Sequence, residues 1–406
     1  MITAQDGFVD LSWAGAAWCV TGVRLEPDPT IARNASALGL PEEERRRRAV
    51  ARERAWLTDA WAPDGRCWEL RYRPSGRHDG RLDCALLARA HGPTPEAART
   101  AAYRLREHLD RLPSSVRAIP LDTPRLTSCL RPFEPAESAR PTEIRPRVHW
   151  SRLARADAAF PYGLYVDALA AEPISWEPLW TELTRINGMF TLGIRLEPMP
   201  WRHQDAAMLD RLITEYSALE RPGRFNPAIG RQEAALPFAQ QAVARYSRLR
   251  HVASTECAYR LRATLACADQ ATDQSAAQAA YLLAAAFGGP GQEGSRAVVR
   301  PVQDLEERRA AWYAFTHLHD EWLPRTRQQE FPYAFGEFER MLADRVGVPE
   351  ASAVFRLPTG TSGHLPLFTV SAPAGATTAP ATVPPGIASE YGLPQPPPGF
   401  TDGRTP

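Results

Sequence analysis

The sequence contains no lysine: all 48 residues counted as lysine plus arginine are arginine. That absence excludes every mechanism needing a side-chain primary amine, including the P-loop lysine, the kinase strand lysine and a Schiff base. Cysteine is sparse too. Cys19, Cys67, Cys84, Cys129, Cys257 and Cys267 form no C-x-x-C pair and read as single, mostly buried thiols, not a disulfide framework. HExxH, GxSxG and GxxxxGK[ST] are all missing. Long apolar runs are missing as well, since the weakly polar stretch 276–287 falls far short of the ~20 residues that span a bilayer. Residues 1–10 carry Asp6 and Asp10 but no positive charge, so the apolar stretch 13–20 reads as a strand and not as a secretory leader. A soluble, cytoplasmic chain without a membrane span is the expectation.

What is present describes a globular protein. Hydrophobic residues make up 44% and charged residues 23% of 406, which excludes disorder as the main state. At ~150 residues per domain this length predicts two or three domains. The 48 basic side chains face 47 acidic ones, a net charge of +1, so the long-range field of a nucleic-acid binder is lacking. The arginine- and alanine-rich usage reads as the imprint of a GC-rich genome.

The most informative feature is an internal repeat. Gly22-Val23-Arg24-Leu25-Glu26-Pro27 recurs as Gly193-Ile194-Arg195-Leu196-Glu197-Pro198. Thr94 through Ala101-Ala102-Tyr103 aligns with Thr272 through Ala279-Ala280-Tyr281, and a β-branched run follows each, at 116–121 and 297–302. Val23 and Leu25 alternate with Arg24 and Glu26, the period of a half-buried strand that Pro27 ends. Residues 41–61 predict a helix opened by proline and three glutamates. Residues 67–73 and 81–90 predict two strands joined by the polar, glycine-containing loop 74–80. Thr94 offers a helix N-cap, Pro95 the first helical position, and Ala98, Ala101, Ala102, Leu105 and Leu109 an apolar stripe.

The order strand, helix, strand, strand, helix, strand is that of a split βαβ, or ferredoxin-like, unit. An α+β fold with two such units in tandem follows: residues 1–122, then a Pro-rich linker at 123–150, then a second unit at 151–302. The second copy has helical stretches at 204–219 and 236–250 before its one clear strand, 256–266, so a helical insertion is expected there. Residues 303–370 form a helical extension, with helices at 305–322 and 333–346 and a terminal strand at 353–357. Residues 371–406 are rich in Ala, Thr, Pro and Gly and read as a disordered, partly polyproline-II tail.

Chemistry-bearing motifs mostly reduce to structure. Gly289-Pro290-Gly291-Gln292-Glu293-Gly294 fits G-x-G-x-x-G, but it follows a helix and precedes a strand, the reverse of a dinucleotide fingerprint. In His317-Leu318-His319-Asp320-Glu321 only His317 shares a helix face with Asp320 and Glu321, so a metal would need ligands from elsewhere. Trp13, Trp18, Trp150, Trp176, Trp180 and Trp201 read mainly as core and inter-element packing. Arg45, Arg46, Arg47 and Arg48, with Arg52 and Arg54, form the strongest positive cluster and the candidate contact with nucleic acid or a partner. Glu42, Glu43 and Glu44 stand four residues before Arg46, Arg47 and Arg48, which also accounts for the run as a solvated, ion-paired face. No catalytic residue, cofactor or metal site is assigned.

A strand ending in Arg-Leu-Glu-Pro, a long helix, a hairpin and a Thr-Pro-Glu-Ala helix together resemble the N-terminal, pre-motor region of VirB4/HerA-like conjugation and secretion ATPases. Ala353-Val354-Phe355-Arg356-Leu357-Pro358, then 359–363 and Leu365-Pro366, resembles the segment leading into their motor. The likeness spans residues 18–367 and stops short of the ATPase: no Walker A is present, and no ATPase residue carries over. It implies a non-catalytic scaffold or adaptor that docks onto a motor ATPase or forms a homo-oligomer. The rival expectation is nucleic-acid binding through an exposed sheet or the Arg45, Arg46, Arg47 and Arg48 helix.

Overall fold

Both copies of the repeated hexapeptide form buried strands, and hydrogen bonding carries one sheet from the first copy into the second. The structure is a computed structural model describing residues 6–13, 16–28, 39, 41–76, 79–172, 174–227, 230–255, 257–288, 297–319, 337–359 and 367–371. The chain divides into two units, 1–369 and 370–406, and the second is described only at residues 370 and 371. The tail expected at 371–406 lies, beyond Ser371, outside the described residues.

In the first half, β1 (Phe8–Trp13) precedes β2 (Ala16–Pro27), α1 (Glu42–Asp59), β3 (Cys67–Pro74), β4 (Leu82–Gly92), α2 (Pro95–Leu109) and β5 (Val116–Pro120). The strands lie in the order β5-β2-β4-β3, all antiparallel, which is the order a split βαβ requires. β1 and β5 share the outer border of β2, β1 on residues 16–21 and β5 on 23–27. α2 starts where its cap predicts: the Thr94 side chain accepts a hydrogen bond from the Ala97 amide, and Pro95 fills the first turn. Its stripe of Ala98, Ala102, Leu105 and Leu109 is buried.

Residues 123–150 correct the expectation of a linker. They fold into α3 (Thr123–Leu130), whose N-terminal amide at Arg125 is capped by Asp122, and β6 (Thr142–Pro146), followed by β7 (Val148–Arg152). β6 hydrogen-bonds within the main sheet, to β12 on one side and β13 on the other. Of the prolines that suggested a crossing chain, Pro120 and Pro146 end strands, Pro124 lies in the first turn of α3 and Pro141 precedes β6, positions that tolerate a missing N–H, while Pro132 and Pro135 lie in the coil between α3 and β6.

The second half continues with β8 (Tyr162–Val166), α4 (Glu177–Leu183), β9 (Phe190–Pro198), α5 (His203–Leu219), β10 (Phe225–Asn226), β11 (Arg231–Gln232), α6 (Pro237–Thr255), β12 (Ala258–Cys267), α7 (Gln270–Gly288) and β13 (Ala297–Pro301). The helical insertion is the hairpin α5–α6. It has its own core of Leu209, Leu212, Tyr216, Ala242, Tyr246 and Leu249, and holds the β7–β8 hairpin: the Leu164 amide donates to Tyr216 Oη (3.1 Å) and Tyr246 Oη donates to the Leu164 carbonyl.

The second copy departs from the expected order. A split βαβ places the last strand beside the first, whereas β13 pairs with β6, three strands from β9. The free side of β9 is taken by β3, so the copies fuse through an antiparallel ladder from Trp68↔Leu196 to Tyr72↔Leu192. The result is one ten-stranded sheet in the order β1-β2-β4-β3-β9-β12-β6-β13, with β5 also on β2 and β14 also on β12.

The remaining elements are α8 (Leu305–His317), α9 (Glu337–Asp344), β14 (Arg345–Gly347) and α10 (Val348–Val354). The expected strand at 353–357 is instead the end of α10 and the coil after it. Pro349 and the Glu350 carboxylate, which accepts the Gly347 amide at 3.0 Å, start a helix that outweighs the local β-branched composition. Helices α1, α2, α4, α7 and α10 bury one sheet face around Trp68, Leu70, Tyr72, Leu192, Ile194 and Leu196. Fully burying each such side chain contributes about 1.5–3 kcal/mol. Phe355 stacks on Trp56, while Phe368 meets Tyr72 and Trp180, so the residues after α10 complete this core. Opposite it, Val20, Cys67, Ala85 and Leu87 are covered by Leu126, Cys129 and Leu130 of α3 and by Leu318.

Candidate functional site

Strand alternation places a second set of side chains on the α3/α8 side of the sheet, and most of them are charged. Across the strands, register aligns Arg89 with Cys67, Glu69 with Arg195, Arg195 with Arg262 and Glu197 with Arg260. From sequence such a face reads as solvated. Here much of it is buried: Glu69, Arg71, Arg89 and Arg195 are each no more than 5% exposed.

These arginines hold helix ends. Arg71 donates to the carbonyls of Cys129 and Leu130 at the end of α3, and to that of Phe315 near the end of α8. Arg195 donates to the Ala314 carbonyl at 3.0 Å, and Arg89 to the Leu318 carbonyl, at a residue whose φ of 53° closes α8 in the left-handed region. Last-turn carbonyls carry the negative dipole end and most lack intrahelical donors, which these cations supply; the Ala314 carbonyl already accepts the Leu318 and His319 amides, so there Arg195 adds charge to a satisfied acceptor. Carboxylates balance the charge: Glu69 lies 2.7 Å from Arg71 and 3.7 Å from Arg195, and Glu197 is 3.5 Å from Arg89 and 3.4 Å from Arg260. The Arg71 guanidinium also lies 4.1 Å from the Phe315 ring centre.

The repeat glycines serve this layer. A Cβ on Gly193 would come within 2.8 Å of both Glu69 Oε1 and the Phe315 ring, and one on Gly22 within 2.8 Å of Leu87. Neither position has room for a side chain.

At one end of the face the described side chains are half-buried or exposed instead of fully buried. The Trp18 ring lies 4.6 Å from that of the exposed His91, tilted by 50° to it, and 5.5 Å from His319, with Arg89 4.1 Å over its face. Together with the half-buried Glu197 and Arg260, these side chains offer ring faces and both signs of charge to a partner.

The cluster singled out in the sequence lies elsewhere, on α1. Arg47 and Arg48 are exposed and Arg45 and Arg46 partly so; Arg52 is exposed one turn on. Arg47 pairs with Glu43 and Arg48 with Glu44 at 2.7 Å, the expected four-residue spacing, while Arg46 pairs with Glu43 three residues before it. Arg54 instead reaches the Ala171 carbonyl at 3.1 Å. On the same helix Glu53 turns inward, although nothing in its local sequence distinguishes it from the neighbouring acids. It is buried 3.1 Å from Arg356, accepts the Leu357 amide, and burial raises its carboxyl to about 7.

His317 closes α8 stacked on Tyr313 at 3.8 Å, and burial lowers its pKa. His319 lies apart from it, beside Arg89, while Asp320 and Glu321 fall outside the described residues, as does the Gly289 to Gly294 motif. Among the described residues no group of three or more His, Cys, Asp or Glu is placed to hold a metal. Burial raises the thiols of Cys19, Cys67, Cys84, Cys129 and Cys267, Cys67 to about 12, which disfavours the thiolate a nucleophile needs. No described helix is long and apolar enough to cross a membrane. The sequence matches no protein-family model and no curated protein.

Proposed function

We propose that this chain is a non-catalytic scaffold or adaptor that docks onto a motor ATPase of the VirB4/HerA-like class, whose pre-motor region its sequence resembles. The observation that carries this reading is the use made of the charged sheet face. Arg71, Arg89 and Arg195 are committed to helix ends and to Glu69 and Glu197, so the carboxylates of this face are held in ion pairs that brace a platform. Its less buried end, with Trp18, His91 and Arg260, has the aromatic and arginine composition of interface hot spots.

The test is affinity capture from the native host, followed by mass spectrometry and by pairwise binding of the purified proteins. Recovery of a P-loop ATPase that binds the wild type and loses the Trp18→Ala, Arg260→Glu variant supports the reading. Absence of any protein partner overturns it. Salt-dependent retention on DNA or RNA, abolished by changing Arg45, Arg46, Arg47 and Arg48 to Gln, would favour nucleic-acid binding instead.

A further inference from the structure

Between α4 and β9 the chain reads Ile186-Asn187-Gly188-Met189-Phe190. Ile186 and Phe190 are buried, while Asn187, Gly188 and Met189 between them are exposed. Backbone bonds fix the turn at both ends: the Asn187 amide donates to Ser275 Oγ at 3.2 Å, and the Met189 carbonyl accepts the Ala268 amide at 2.9 Å. Gly188 has a φ of 117°, and a Cβ there would collide with the Thr272 side chain of α7. Only glycine fits, so the turn itself places a glycine directly after an exposed asparagine.

Such a pair holds both partners of an intramolecular reaction, an acyl carbon in the asparagine side chain and a nucleophile in the next backbone nitrogen. Among the described residues neither is tied down, since no hydrogen bond holds the Asn187 side chain or the Gly188 N–H. Without a Cβ, Gly188 leaves its nitrogen open to approach. The other asparagines of the chain lack these features. Asn226 precedes Pro227, which has no N–H to lose, and Asn34 precedes Ala35, whose methyl group crowds the nitrogen.

We propose that Asn187 and Gly188 form a site of spontaneous backbone modification, at which the folded chain converts Asn187 through a succinimide into aspartate and isoaspartate. Hydroxide takes the Gly188 amide proton, and the nitrogen attacks Asn187 Cγ. The N–Cγ bond forms, the Cγ–Nδ2 bond breaks, and the side-chain nitrogen leaves as ammonia with protons drawn from water. Water then opens the ring. Cleavage at Cγ returns the ordinary main chain with an aspartate, whereas cleavage at the Asn187 backbone carbonyl carbon leaves isoaspartate, with the main chain running through Cβ and Cγ. Water and its hydroxide are the only co-reactants. The isoaspartate product adds a methylene group to the main chain of a turn whose flanks, Ile186 and Phe190, are anchored in the core. Phe190 opens β9, the strand that joins the halves through its ladder with β3, so the lesion falls beside that seam. This inference does not rest on the adaptor reading.

Incubating the full chain at mildly alkaline pH, followed by peptide mapping with mass spectrometry, tests it. The expected result is the mass gain of an NH2 replaced by OH, confined to the peptide that holds Asn187 and matched by an equal release of ammonia. Electron-transfer fragmentation should place isoaspartate at that residue, and the rate should rise in proportion to hydroxide. Asn187→Gln abolishes the conversion and, at an exposed position, leaves the circular dichroism of the fresh protein unchanged. Aged wild type should unfold at a lower temperature than fresh protein, whereas aged Asn187→Gln should not; an unchanged midpoint in converted protein overturns the structural consequence. A folded chain in which Asn187 stays intact overturns the proposal, and conversion of the same chain in urea would then show that the turn protects the pair.

Discussion

Buried charge in this chain is paired, and the pairs differ in what they do. Arg71 is tied to three carbonyls, a carboxylate and a ring, so Arg71→Ala is expected to cost about 3–5 kcal/mol, read as a drop in the urea midpoint. Most of that loss is the stranded Glu69 and the uncapped helix ends. Glu53 behaves otherwise: burial dominates over Arg356, and its carboxyl titrates near 7 in the fold against an ordinary 4.5. Between those values the folded chain keeps a proton that the unfolded chain releases. Stability from this group is therefore greatest below pH 4.5, falls as pH rises to about 7, and then levels off. The interval corresponds to roughly 3 kcal/mol at about 1.36 kcal/mol per pH unit. Urea titrations at several pH values should show that decline in the wild type, and Glu53→Gln should remove it. None of this was legible in the sequence, where Glu53 is one acid among the charges of α1 and Arg71 sits in an alternation typical of a solvated strand face. What hid their burial is distance: the covering groups come from residues 123–130, 314–318 and 356–357.

Local signals were reliable wherever the chain supplied its own reason. The Thr94 cap, Pro95 and the stripe behind it gave α2, and the loop 74–80 gave the β3–β4 hairpin. Thr94→Ala is accordingly expected to cost about 1 kcal/mol, seen as a lowered thermal midpoint with an unchanged native spectrum. Gly193→Ala belongs to the same scale with a different cause. The new methyl group meets the Glu69 carboxylate and the Phe315 ring edge at 2.8 Å, so these packed side chains have to give way, at a cost of about 1–3 kcal/mol by the same measurement. The elements missed were those whose reason lies in a neighbour. β6 is a five-residue strand ending in proline, and only its pairing with β12 and β13 makes it a strand. The apolar run Ala353 to Leu357 looked like a strand because its helix begins upstream, at Pro349 and Glu350.

At the scale of the molecule the repeat was readable but its assembly was not. The repeated motifs point to two similar stretches, yet not to β3 of one hydrogen-bonding to β9 of the other, since backbone pairing leaves no mark on side-chain identity. The seam has a thermodynamic consequence. Ile194, fully buried on β9, contributes to packing shared by both halves, so Ile194→Ala is expected to lower stability by about 2–5 kcal/mol. Far-ultraviolet dichroism and tryptophan fluorescence should then move together in one transition. Two separate transitions would show that the halves unfold independently. The strand order has one more result. Among the described residues the sheet is bounded by β1 and β5 laid end to end on one flank and by β13 and the three-residue β14 on the other, none longer than six residues, with proline at the close of β5 and β13. Neither border presents a long uninterrupted template, so the protein can carry a very wide sheet without inviting fibrous stacking along its rims.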